Sequence, residues 1–397
     1  MSQRINLGHL SAGFTSILIG YTAAVIIIVQ AANNLGATET QLESWLLALG
    51  LAMGICSIAL SWYYKLPILA AWSTPGAVLI ASDGHGYGLS VAVGAFIVSG
   101  FLLMLTAFVK PISRALAQIP SQLGTAMLGA ILLPFCMGAF ETLPSSPWLF
   151  FIMLVTFFVA KQFASKYAMV VLLAVALVCA TYMGSFNGVD LSLRLASPEW
   201  VTPEFDLHAI LNLALPLYIV TMLSQNLPGF AMMKSFGYEP PVKATLATTG
   251  TANILFAPIG GFAINLAAIT AAICMNEEVD KDTSQRYKAS IWAGVFYLIA
   301  GLFATSVVSL FLAFPKELTH LLAGFALLGT LMMCLQTAFA EEGYREAALL
   351  TFLVTLSGAN FLGISSTLWG LMIGMVYLKL FTQKKVKDNH ENQAVTS

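Results

Sequence analysis

Two short patches place helix-breaking residues inside long apolar runs. They are Trp72-Ser73-Thr74-Pro75-Gly76 within Leu66–Ser82, and Ala257-Pro258-Ile259-Gly260-Gly261 within Ala252–Met275. A helix interrupted at membrane depth leaves N–H and C=O groups that hydrocarbon cannot satisfy. Such breaks survive only where they are buried in protein or line a polar cavity. The chemistry they offer is anion binding. A half-helix following Pro75-Gly76 runs to Ser82, and another starts at Phe262 and runs to Met275. Each is expected to present three or four free N–H groups and the positive end of a helix dipole. Ser73 and Thr74 add hydroxyl donors. No Lys or Arg lies in the interior of an apolar run, away from its ends, so an anion held here needs no buried cation.

Amides and aromatic rings at depth extend this set. Gln225 and Asn226 precede a Pro228-Gly229 break, Asn265 follows the second patch, and Gln30 ends the first apolar run ahead of Asn33 and Asn34. Each amide fits either a ligand site or a hydrogen bond between helices. Trp72 and Phe262 abut the breaks, and Tyr21 lies in the first run; all three could stack on an aromatic ligand or simply pack. Asp83, His85 and Glu141 sit at the ends of apolar runs. They are candidates for carrying a proton, and equally fit solvated end charges. No phosphate-binding loop, metal-ligand cluster or catalytic triad is visible, so neither an enzyme nor a metal or cofactor is expected. The five cysteines all lie in apolar runs without CxxC spacing and read as packing residues.

The elements that hold these residues follow from composition. Hydrophobic residues make up 58% of the 397 and charged residues 9%, far below the roughly 25% charged of soluble domains. The chain is therefore an integral membrane protein. A net charge of −1 suggests no nucleic-acid partner. The apolar runs fit 14 segments of an all-α polytopic protein: 9–32, 42–63, 66–82, 89–109, 122–140, 148–160, 167–186, 210–234, 242–256, 257–275, 287–314, 319–339, 347–358 and 360–381. With a cytoplasmic N-terminus, this threading puts 16 of the 18 basic residues inside and only Arg194 and Lys316 outside. Both termini are then cytoplasmic, and the polar tail 383–397 is expected to be disordered.

The halves resemble each other. Pro120 and Gly129 recur as Pro315 and Gly324, 195 residues on, each opening a long run followed by a short one. Seven segments per half is an odd number, so the second half is inverted relative to the first. That is an architecture of alternating-access carriers, with broken helices at the binding site.

Several motifs resemble the benzoate/proton symporter (BenE) family. They are Gly8-His9-Leu10-Ser11-Ala12-Gly13-Phe14 to Gly20-Tyr21-Thr22, Ile28-Val29-Gln30-Ala31-Ala32, Ala71-Trp72-Ser73-Thr74-Pro75-Gly76, Leu223-Ser224-Gln225-Asn226-Leu227-Pro228-Gly229, and Ala257-Pro258-Ile259-Gly260-Gly261-Phe262-Ala263-Ile264-Asn265. More widely the chain is similar to nucleobase/ascorbate and sulfate-permease-like transporters. That resemblance implies a core domain (1–113 and 209–314) and a gate domain (114–208 and 315–382). It also implies short strands opening segments 3 and 10, with substrate between them, and dimers. Where nucleobase carriers have acidic residues in segments 8 and 10, this chain has Gln225 and Ile264-Asn265. Losing both carboxylates suits an anionic substrate. The resemblance implies import of benzoate or a similar aromatic carboxylate with a proton across a bacterial cytoplasmic membrane. The implied substrate-binding set is Tyr21, Gln30, Trp72, Ser73, Thr74, Gly76, Gln225, Asn226, Gly260, Gly261, Phe262 and Asn265. A nucleobase or inorganic-anion carrier, or an anion channel, are the competing readings.

Overall fold

The structure, a computed structural model, describes residues 7–84, 86–111, 116, 118–187, 194–267 and 269–382. His85 and the tail 383–397 lie outside the described residues. The first half runs α1 (Leu7–Asn34), α2 (Glu39–Tyr64), β1 (Ala70–Trp72), α3 (Thr74–Asp83), α4 (Leu89–Phe108), α5 (Ser121–Glu141), α6 (Pro147–Phe163) and α7 (Ala168–Tyr182). The second runs α8 (Leu207–Ser235), α9 (Val242–Phe256), β2 (Ile264–Leu266), α10 (Ile269–Met275), α11 (Tyr287–Leu302), α12 (Ala304–Leu312), α13 (Lys316–Phe339), α14 (Arg345–Leu356) and α15 (Ser366–Tyr377). Among the described residues seven helices are long and apolar enough to cross a membrane, or eight if α11 and α12 count as one bent span. The protein is a mostly helical polytopic membrane protein.

Local chemistry explains where these elements depart from the sequence expectation. Pro228-Gly229 does not break α8. Instead two π-helical turns, Ile210–Ala214 and Met222–Asn226, each end two residues before a proline, Pro216 and Pro228. A proline lacks an N–H and its ring crowds the carbonyl four residues back, which is Asn212 or Ser224. Widening that turn relieves the clash and keeps the helix continuous. The half-helix expected at Phe262 starts at Ile269. Gly260 has φ +98° and ends a short 3-10 turn, and the chain then stays extended through β2. The single run expected at 287–314 bends by 64° between α11 and α12. Segment 14, expected from Asn360, becomes helical only at Ser366, after a tight turn bridged between Phe361 and Ile364.

Small residues set the helix packing. A side chain at Gly50 on α2 would lie 2.6 Å from the Gly301 Cα of α11, and one at Gly250 on α9 would lie 2.6 Å from the Met104 N of α4. Lipid chains are as apolar as Leu, so close backbone approach, rather than expulsion of water, holds such helices together. Trp45, Phe96 and Phe262 form a buried aromatic cluster with ring centroids 5.4–5.7 Å apart. Many large apolar side chains, including Trp62, Phe151 and Phe158, stay exposed, as a lipid-facing surface requires.

Candidate substrate site at the paired strands

The two broken segments meet. β1 and β2 pair antiparallel, with Ala70 opposite Leu266, Ala71 opposite Asn265 and Trp72 opposite Ile264. The ladder continues through Ser73 N–H to Ala263 O (3.0 Å) and Ala267 N–H to Leu69 O (2.8 Å). An isolated two-stranded ribbon has two free edges, whose buried polar groups must be met by other groups. Four side chains meet several of these groups. Ser61 Oγ accepts from Ile68 N–H (3.2 Å) and donates to Ile68 O (2.7 Å), and Ser57 Oγ accepts from Ala70 N–H (2.9 Å). On the other edge Asn253 Oδ1 accepts from Ile264 N–H (2.7 Å) while its Nδ2 donates to Ile264 O (3.0 Å). Asn226 Oδ1 accepts from Leu266 N–H (2.9 Å).

α3 follows β1 and α10 follows β2, so antiparallel pairing sends the two half-helices away from opposite ends of the ribbon. Fewer amides are free than expected. Ser73 Oγ caps α3 by accepting from Gly76 N–H (2.9 Å), Pro75 has no N–H, and Ala77 N–H bonds Ser73 O (2.8 Å). Thr74 N–H is left as the one amide of that turn without a partner among the described residues.

The expected site residues divide by location. Tyr21 packs on Trp72 with ring centroids 4.9 Å apart, and Trp72 lies in β1 beside the Ala71–Asn265 pair. Tyr21 Oη and Asn265 Oδ1 are both buried and without a hydrogen-bond partner. Asn265 Nδ2 donates to Ala263 O (2.8 Å), which leaves the oxygen as the free atom. Gln225 is half-buried in the second π-turn of α8, next to the ribbon-bound Asn226. Ser73, Thr74, Tyr21, Trp72, Gln225, Asn226 and Asn265 thus gather around the paired strands.

The glycines and Phe262 occupy packed positions instead. A side chain at Gly260 would lie 1.9 Å from Trp45 Cδ1, at Gly261 2.6 Å from Phe256 Cβ, and at Gly76 2.8 Å from Leu217 Cδ1. Phe262 belongs to the Trp45–Phe96 cluster. Gln30 and Glu141 line a separate cavity of about 700 Å³ between α1 and α5. Asp83 Oδ2 accepts from Thr367 Oγ1 (2.8 Å), tying the end of α3 to α15. Among the described residues no group of three or more metal-ligating side chains exists.

Asn253, Ser57 and Ser61 are the residues sequence reasoning missed. A signal was present: Ser57 and Asn253 are 196 residues apart, close to the 195 of the proline–glycine pairs.

The family profile described as "Benzoate membrane transport protein", BenE, matches residues 3–380. The chain is 41% identical over 367 residues to the inner membrane protein YdcO of Escherichia coli K12, covering 92% of this chain and 94% of that one. It is 36% identical over 376 residues to the benzoate membrane transport protein of Acinetobacter baylyi, covering 95% of each. Among solved structures it is similar to the transmembrane domain of the cyanobacterial bicarbonate transporter BicA, with a TM-score of 0.61 at 15% identity over 95% of this chain and 98% of that one. It is also similar to the murine anion transporter Slc26a9 in its inward-facing state, with a TM-score of 0.63 at 14% identity over 97% of this chain and 69% of that one. Those two likenesses bear on the fold alone. The chain belongs to the BenE family of benzoate membrane transport proteins.

Proposed function

We propose that this transporter is a secondary active symporter that imports benzoate or a similar aromatic carboxylate with a proton by alternating access. The reading places it in a bacterial cytoplasmic membrane with both termini inside. One observation carries the substrate class: Tyr21 Oη, whose ring packs on Trp72, and Asn265 Oδ1 in β2 are buried polar atoms without partners. A buried unpaired polar atom costs about 1–3 kcal/mol, and a carboxyl bound there removes that cost. Tyr21 Oη donates to the carboxyl and the ring stacks on Trp72. Asn265 Oδ1 can only accept, so it suits the protonated form of the acid. The proton then travels on the substrate, and neutral Gln225 adds no opposing charge. Carrying one proton cancels the roughly 2.3 kcal/mol per 100 mV that an inside-negative potential sets against an entering anion.

The alternating-access part rests on 14 segments in two inverted repeats. Exchanging the repeats maps the pair formed by segments 2 and 11 onto segments 9 and 4. Both contacts occur, as α2 against α11 and α9 against α4. Segments 5 and 12 map onto each other and also pack together, as α5 against α13. In this reading the core (1–113, 209–314) carries the paired strands past the gate (114–208, 315–382), and the protein forms a homodimer. Binding to purified protein tests the substrate class. Benzoate is expected to bind saturably and to be displaced by other aromatic acids; displacement by uracil or bicarbonate, with no effect of aromatic acids, refutes the reading.

A further inference from the structure

The cavity of about 700 Å³ lies between α1 and α12 on one side and α5 and α13 on the other. Its lining contains no residue of β1, β2 or α3, so it is separate from the paired strands. The volume is in the range of ligand pockets, about 300–1,000 Å³. Lys316 and His320 line it one helical turn apart on α13, Gln30 and Glu141 line it from α1 and α5, and Phe135 and Phe311 supply aromatic wall. None of these four polar side chains has a hydrogen-bond or ion-pair partner among the described residues. In the orientation proposed above, Lys316 is one of only two basic residues on the outer face. The positive-inside bias disfavours a cation there, and this one sits in the wall of a partly apolar cavity.

We infer that this cavity is an outer recruiting site for the aromatic carboxylate, distinct from the central site at the strands. The Lys316 ammonium holds the carboxylate, with the His320 imidazole one turn away. Phe135 and Phe311 cover the ring, and Gln30 donates from its amide. Glu141 opposes the ligand's charge, which keeps the hold weak enough for the ligand to move on toward the strands. The cavity lies between parts of the proposed core and gate, so motion of one against the other would open or close it. This inference rests on the proposed function, because it takes the same ligand.

The test is benzoate uptake by the full chain in proteoliposomes, at low and at physiological ionic strength. An exposed ion pair of this kind is worth roughly a two- to fivefold change in affinity. K316Q is expected to raise the half-saturating benzoate concentration by about that factor, K316R to restore it, and E141Q to lower it. All of these shifts should shrink as salt rises. K316Q and E141Q that both match the wild type, or that move in the same direction, overturn the recruiting site while leaving the central site standing. Absence of saturable benzoate uptake by the wild type overturns the proposed function and this inference with it.

Discussion

Asn253→Leu isolates the requirement that holds the paired strands in place. Asn253 meets both backbone groups of Ile264, accepting from its N–H at 2.7 Å and donating to its C=O at 3.0 Å. Trp72 stands opposite Ile264 in a pair whose polar groups point away from the ladder, so neither group finds a substitute in β1. Both residues are buried. Leucine is close in size but leaves one donor and one acceptor unpaired in a dry interior. At about 1–3 kcal/mol each the loss is about 2–6 kcal/mol, a large part of the ~5–15 kcal/mol that holds a typical fold. Ser57→Ala orphans only Ala70 N–H and should cost about 1–3 kcal/mol. Thermal unfolding midpoints of the purified variants in one detergent are expected to fall in the order wild type, Ser57→Ala, Asn253→Leu. An Asn253→Leu protein as stable as the wild type, or more stable than Ser57→Ala, would refute the view that edge satisfaction decides the stability of the ribbon.

Three further outcomes are expected. Gly260→Ala should lower the unfolding midpoint sharply, because its side chain would lie 1.9 Å from Trp45 and φ is +98°; an unchanged midpoint contradicts the packing. Tyr21→Phe should leave the ligand-free midpoint equal or higher, since the hydroxyl is unpaired, while weakening benzoate binding about two- to tenfold; unchanged affinity on titration removes Tyr21 from the site. Gln225→Glu should weaken binding of benzoate about tenfold or more and of benzamide much less; equal effects in a competition assay would count against Gln225 facing the carboxyl.

The sequence was most readable where backbone chemistry leaves few choices. Val242–Phe256 is helical over the residues expected, and Trp72 to Pro75 does break its run. The second patch was harder. Pro258 and Gly260-Gly261 mark a stop, but how long the chain stays extended depends on the partner strand, so the half-helix begins at Ile269. Pro228-Gly229 reads as a break, yet a π-turn absorbs the proline. Composition cannot show that. Phe262 and Trp72 are equivalent by sequence, each an aromatic residue beside a break. Only the fold shows Phe262 turned into the Trp45–Phe96 cluster and Trp72 against Tyr21. Asn253 is flanked by Thr248-Thr249-Gly250-Thr251, where an amide reads as one more small-residue contact. Its purpose is set by Ile264, eleven residues away across a turn.

Accumulation of labelled benzoate in proteoliposomes with an imposed inward proton gradient bears most directly on proton-coupled carboxylate transport through the paired strands. Uptake is expected to be saturable, to exceed the equilibrium level, and to collapse when a protonophore is added. Flux that is non-saturating, or indifferent to the proton gradient, would contradict it.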